Sequence, residues 1–173
     1  MGQPKALVRD ATGDPWVSTS TRLLLDAGCE RAIVVLGAAA DEARLLVPFT
    51  DAVTVVVSED WADGMSASLR AGLGAATGTA ALVTLVDLPG MPLAAVTRVL
   101  EWGGVTAGAG VLRQAVYGGR PGHPVLIGSD HWDSVADGLT GDHGARAYLV
   151  AHGVEEIECG DLFDGDDVDS VIG

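Results

Sequence analysis

Lysine is almost absent from this chain. It occurs once, as Lys5, against nine arginines and twenty-four acidic residues, and the formal net charge is −14. An acidic surface of this strength excludes nucleic acid as a partner, because phosphate backbones are bound by cationic surfaces. It also repels free nucleotides, so any phosphate chemistry needs a local cation, either a basic side chain or a divalent metal. Cysteine is nearly as scarce. Cys29 and Cys159 form no CxxC and lie far apart, which fits free thiols in a reducing cytoplasm and not a disulfide framework. No His or Cys pair, His143 included, has the spacing of a tetrahedral zinc site. No charged-then-apolar leader opens the chain, so no signal peptide is expected. The most apolar stretch, 80–100, is interrupted by Asp87, Pro89 and Pro92, which excludes a membrane span. No GxGxxG follows an apolar run, which argues against a dinucleotide-binding dehydrogenase.

What the chain does contain is a regular alternation. With 173 residues, 48% of them hydrophobic, it is long enough for one well-packed domain. Near-continuously apolar, β-branched runs at Ala32–Leu36, Val53–Val57 and Ala81–Val86 predict strands covered on both faces. Helical patterns fall between them: Trp16–Ala27 ending at Gly28, Asp41–Val47 before Pro48, Ser66–Ala76 after Gly64, and Leu93–Trp102 after Pro92. Such alternation predicts an α/β domain with a mostly parallel sheet and flanking helices. The second half differs. Val111–Tyr117 and His123–Ile127 bracket a Gly-Gly-Arg-Pro-Gly segment read as the turn of a small antiparallel excursion. Helices at His131–Leu139 and Ala145–His152 and a strand at Val154–Ile157 precede an acidic tail.

Ligands of open α/β sheets bind beyond the carboxyl ends of the strands. Asp87 directly follows such a run and turns the chain; its carboxylate is suited to Mg²⁺, which takes hard oxygen ligands and bridges to phosphates, or to capping the next turn. Asp167 and Asp169 alternate in the tail, as a second carboxylate source or as a solvated terminus. GMSASLRAGL (Gly64–Leu73) puts Ser66 and Ser68 at a helix entry, where an N-terminus can hold an anion or a polar base edge; Ser66 as a simple N-cap is the alternative. YGGRPGHPVLIG (Tyr117–Gly128) reads as an irregular loop presenting His123 between Gly122 and Pro124. GDHGAR (Gly141–Arg146) is another glycine-framed polar cluster. Lys5 offers a flexible point charge for a phosphate.

Together these segments resemble the nucleotidyltransferases related to the molybdenum cofactor cytidylyltransferases, over nearly the whole chain. The opening motif of that family is Leu-Ala-Ala-Gly-x-Ser-x-Arg-Met-Gly-x-Pro-Lys, and MGQPK at Met1–Lys5 matches its last five positions. The match continues through Gly64–Leu73, Asp87-x-Pro89, Gly122-His123-Pro124, Gly141–Arg146 and Asp167-x-Asp169. The resemblance implies a three-layer, Rossmann-like fold of the nucleotide-diphospho-sugar transferase type. It also implies transfer of a nucleoside monophosphate from an NTP to a phosphorylated pterin, with release of pyrophosphate. Gly2, Lys5, Gly64, Ser66 and Ser68 would bind the nucleotide, with Lys5 and Asp87 in catalytic roles. Asp87 and Asp169 would hold Mg²⁺, and Gly122, His123, Pro124 and Asp142 would meet the acceptor. The SxRxGL pattern at Ser68–Leu73 is similar to cytidylyltransferases, favouring CTP; guanylyl transfer, another phosphorylated acceptor, or a non-catalytic accessory handing cofactor to a molybdenum hydroxylase are the alternatives.

By the same resemblance, the strand and most of the glycine-rich loop ahead of Lys5 are missing, and that strand lies mid-sheet. Its loss would leave ladder groups unpaired on both neighbours, at about 1–3 kcal/mol for each buried group. A single domain over 1–173, truncated at its amino end by a start assigned to an internal methionine, is therefore expected, with roughly 10–20 further residues in the natural chain.

Overall fold

The two β-branched runs nearest the amino end pair with each other. β1 (Ala32–Leu36) and β2 (Val53–Val57) form a parallel ladder in register from Ala32↔Val53 to Leu36↔Val57. The computed structural model describes residues 3–104 and 108–168. Helix α1 (Trp16–Asp26) starts after Pro15, whose φ suits a helix entry, and ends in a Schellman motif. There Gly28 takes φ +97° and its N–H bonds to Leu25 O, while Cys29 N–H reaches Leu24 O. Helix α2 is the short Ala40–Arg44 and α3 is Met65–Ala75.

The remaining strands form a second sheet in the order β3-β5-β4-β6, from β3 (Ala80–Val83), β4 (Leu112–Tyr117), β5 (Arg120–Gly128) and β6 (Glu155–Glu158). β5 is antiparallel to both β3 and β4, and β6 returns parallel to β4. The antiparallel excursion is larger than the expected segment. Only Gly118 and Gly119 turn the chain, both at positive φ (59° and 78°), the conformation whose twist matches the flanking strands so that two residues suffice. Arg120, Pro121, Gly122, His123 and Pro124 therefore belong to a strand and not to an irregular loop. β3 is shorter than Ala81–Val86, because its pairing with β5 stops at Val83↔Val125.

Residues of β4 and β5 alternate between two apolar layers. Leu112, Val125 and Ile127 pack with Leu73 of α3, Val135 of α5 (Trp132–Gly138) and Leu149 of α6 (Arg146–Ala151). Ala115, Tyr117 and Leu126 face the other way, onto Ala95 and Val99 of α4 (Leu93–Leu100) and onto Ile157 and Cys159. Arg113, buried on this sheet, pairs with Glu155 at 3.1 Å and donates to Val99 O and Leu100 O, satisfying carbonyls at the end of α4. No helix among the described residues is long and apolar enough to cross a membrane.

The two sheets are joined by helices, not by a ladder. α1 touches β1 and α4, while α3 touches β1, β2 and α5. Among the described residues, β1 and β3 each have a strand neighbour on one side only. Their apolar runs are accordingly less covered than expected: Ile33, Val34, Val35 and all of β3 are half-buried, whereas β4 is buried throughout. Ala32 N–H and Leu36 C=O bond toward β2, so by alternation Ile33 and Val35 present their main-chain groups to the open edge. Hydrogen exchange followed by NMR is expected to find the Ile33 and Val35 amides exchanging roughly 100-fold or more faster than those of Val125–Ile127 in central β5. Equal protection would mean that another strand covers that edge.

Candidate functional site: a Lys–Asp pair at the end of a strand

Beyond Val83 the chain runs on through Thr84, Leu85 and Val86, with Val86 packed into the cluster of Val17, Leu36 and Ala43, and this fixes where Asp87 emerges. Lys5 begins a single 3-10 turn after Pro4. Its Nζ lies 3.6 Å from Asp87 Oδ2 and donates to Val168 O at 2.5 Å. Val168 N–H in turn donates to Asp87 O at 2.9 Å. Three segments distant in sequence thus converge on one point. Asp87 Oδ1 is buried and has no hydrogen-bond partner. A buried carboxylate oxygen left unsatisfied costs about 1–3 kcal/mol, and such a hard oxygen suits a divalent cation. Among the described residues there is no cluster of three or more potential metal ligands. Asp169, the expected second ligand, and Gly2 lie outside the described residues.

His123, on β5, adjoins this centre. Burial pushes its imidazole below the ordinary value, with the Asp87 charge pulling it partly back. His123 is therefore uncharged at neutral pH and does not compete with Lys5 as the cation. Pro124 is fully buried beside it, and Gly122 is set by a neighbour: a Cβ there would lie 2.8 Å from Tyr117 Cε2.

Gly64, Ser66 and Asp142 form a second grouping. Gly64 has φ +111°, and a Cβ on it would fall 2.5 Å from Asp142 Oδ1 and 2.7 Å from the Gly141 carbonyl. Ser66 N–H donates to Gly141 O at 3.1 Å. The loops expected to serve nucleotide and acceptor separately are therefore packed on each other. The start of α3 is also less open than expected, since Gly141 O takes up one of its amides. Gly64 is the N-cap residue, and no side chain caps the helix; Ser66, buried, is the second helical residue, and Ser68 is half-buried. Arg70 donates to Ala136 O and Leu139 O, closing the end of α5, and a Cβ on Gly72 would meet Val35 at 3.2 Å. Two positions of the SxRxGL pattern thus have packing roles. No hydrogen bond or ion pair among the described residues joins the two groupings.

The reading of the sequence missed Val168 and Tyr117. Val168 acts through its main chain, which leaves no residue signature. Tyr117 could have been found from the two glycines, Gly122 and Gly165, whose missing side chains make room for its ring.

The lowered His123 pKa has a definite sign. The unfolded chain binds a proton at the ordinary imidazole value and the native one only at lower pH, so stability contributed by His123 is complete above the ordinary value and is lost as pH falls through the lowered one. Thermal melts are expected to show the wild type losing stability between about pH 7 and about pH 5, more steeply than His123→Asn. Parallel curves would contradict the assignment.

Known proteins resemble this chain over most of its length. Nicotine blue oxidoreductase of Paenarthrobacter nicotinovorans is 36% identical over 181 residues, covering 97% of this chain and 84% of its own. Rv0371c of Mycobacterium tuberculosis superposes with a TM-score of 0.75 at 26% identity, over 98% of this chain and 86% of its own. Its complex with manganese gives 0.73 at 25%, over 90% and 81%. A Methanothermobacter nucleotidyl transferase shares the fold, with a TM-score of 0.75 at 23% identity over 90% of this chain and 74% of its own. The strand-end Lys–Asp pair lies within residues 1–157, which match the MobA-like NTP transferase domain, and the chain belongs to that nucleotidyltransferase family.

Proposed function

We propose that this protein transfers CMP from CTP to a phosphorylated pterin, molybdopterin, in a Mg²⁺-dependent reaction. The observation that carries the reading is the Lys5–Asp87 pair, with one carboxylate oxygen facing the ammonium and the other buried and unpartnered. An oxygen of the acceptor phosphate attacks the α-phosphorus. The new P–O bond forms as the bond from the α-phosphorus to the β-bridging oxygen breaks, and pyrophosphate leaves with that electron pair. The acceptor is already anionic, so no serine or histidine base is required, in keeping with an uncharged, buried His123. Such a reaction needs alignment and charge compensation more than covalent help. Lys5 Nζ supplies a positive charge where an otherwise acidic protein must accept a triphosphate. Asp87 Oδ1, with Asp169, would hold Mg²⁺, which when bound neutralises phosphate oxygens; the manganese complex of Rv0371c supports a divalent ion in this role. Base choice rests on Ser66 and Ser68, since Arg70 and Gly72 already serve packing.

The 36% identity to a protein named as an oxidoreductase favours a second reading, in which the same fold reduces a planar heteroaromatic compound. The two differ in products. Pyrophosphate release from CTP and from GTP, measured with molybdopterin present, is expected to favour CTP and to fall about 100-fold or more in Asp87→Asn and in Lys5→Ala. Equal use of both nucleotides would remove the base assignment. Absence of pyrophosphate, with reduction of nicotine blue by a hydride donor, would replace the transferase reading.

A further inference from the structure

The acidic tail is clamped along its length before it reaches the site. Arg98 holds Asp161 through two hydrogen bonds, at 2.5 and 2.9 Å, and also donates to Glu158 O. Phe163 meets the Tyr117 ring edge-on, centroids 5.7 Å apart. Gly165 then crosses that ring so closely that a Cβ would lie 2.3 Å from Tyr117 Cδ2, while Gly122 abuts the same ring, where a Cβ would lie 2.8 Å away. Arg120 donates to Asp164 O at 3.0 Å and to Asp166 Oδ1 at 3.2 Å. Three residues beyond Gly165, Val168 bonds to Asp87 O and accepts from Lys5.

Magnitudes decide which anchor matters. The Arg120–Asp166 pair is about two-thirds exposed on both sides (68% and 65%) and contributes little. Tyr117 is 5% exposed, and its hydroxyl donates to His123 O at 2.6 Å; desolvation pushes its pKa up to about 12, so it stays a donor. The ring is a fixed seat, and Gly165, at φ +77°, is shaped to it.

We propose that residues 163–168 form a strap seated on Tyr117, and that Tyr117 and Gly165 are positioning residues for the Lys5–Asp87 pair, setting its geometry and cation affinity without touching a ligand. The effect on cations rests on the reading of that pair as the metal and triphosphate site; the strap itself does not. Because Lys5 is the only lysine, its ammonium can be followed alone. Acylation of Lys5 in the full chain, quantified by peptide mass spectrometry, is expected to quicken about tenfold in Gly165→Ala, where a left-handed backbone and a ring clash expel the strap. Tyr117→Phe keeps the seat and is expected to label within about twofold of wild type. Gly165 lies outside every helix and strand, so the circular dichroism spectrum of Gly165→Ala is expected to match that of wild type. Unchanged labelling in Gly165→Ala overturns the strap. In parallel, Mn²⁺ titration by electron paramagnetic resonance is expected to find binding in wild type, about tenfold weaker binding in Gly165→Ala, and loss in Asp87→Asn. Wild-type Mn²⁺ affinity in Gly165→Ala overturns the positioning role. No Mn²⁺ binding in the wild type sinks the metal reading and with it the claim about cation affinity, while the labelling result still decides the strap.

Discussion

The candidate site is tied together by the main chain of one residue. Val168 N–H donates to the carbonyl of Asp87 and Val168 C=O accepts from the ammonium of Lys5, so the main chain of a single residue ties the beginning, middle and end of the described chain together. Without it, the ammonium and the carboxylate are two flexible, partly exposed side chains, and pairs of that kind contribute little. With it, the backbone fixes the spacing and the ion pair need only fill it. Several neighbouring features hold the segment that carries Val168: the turn at Gly118–Gly119, the seat on Tyr117, and the bidentate hold of Arg98 on Asp161. Even Glu158 contributes, since it accepts from the Gly118 and Gly160 amides, which hold its carboxyl below the usual carboxylate range.

The distribution of basic residues follows the same logic. Arg70, Arg98, Arg113 and Arg120 all bind backbone carbonyls, at the ends of α4 and α5 or along the tail. A planar guanidinium with several donors suits that task, and a lysine would satisfy fewer acceptors. The arginines thus staple the fold, while the one lysine stands at the strand end. In a protein of net charge −14, a cation held there is a local exception to the prevailing acidity.

The fold was legible in the sequence wherever local chemistry decides it. Ala32–Leu36 and Val53–Val57 form as expected because β-branched runs bounded by turn residues have no competing conformation. The end of α1 was marked by Gly28. Reading failed where partners decide. β3 stops at Val83 because the next position of the register faces Pro124, which has no N–H to continue the ladder, although the apolar run continues. The Gly-Gly-Arg-Pro-Gly segment suggested a loop by composition, but two left-handed glycines complete the turn and release the rest to a strand. The half-burial of Ile33, Val34 and Val35 was not written in those residues, since it comes from a ladder edge. At the site, Asp87 was recognisable as a carboxylate directly after a predicted strand, and Lys5 as the one lysine of the chain. The packing of Gly64 on Asp142 and the seat of Gly165 on Tyr117 were not, because each is a steric fit between segments remote in sequence.

Fold likeness alone does not choose between transferring a nucleotide and the oxidoreductase activity in the name of the 36%-identical relative, because one fold can host unrelated chemistries. The residues discriminate better. A hydride transfer requires a donor held over an acceptor ring and gains nothing from a buried carboxylate oxygen that lacks a hydrogen-bond partner. Phosphoryl-type substitution gains directly, since an oxygen of that kind becomes satisfied on meeting a cation, and the cation is then available to a triphosphate. The cost of keeping Asp87 Oδ1 buried and unpaired is borne by the native state continuously. An oxygen in that state is one a ligand can satisfy, so Asp87 is consistent with the nucleotide chemistry of the family to which the chain belongs.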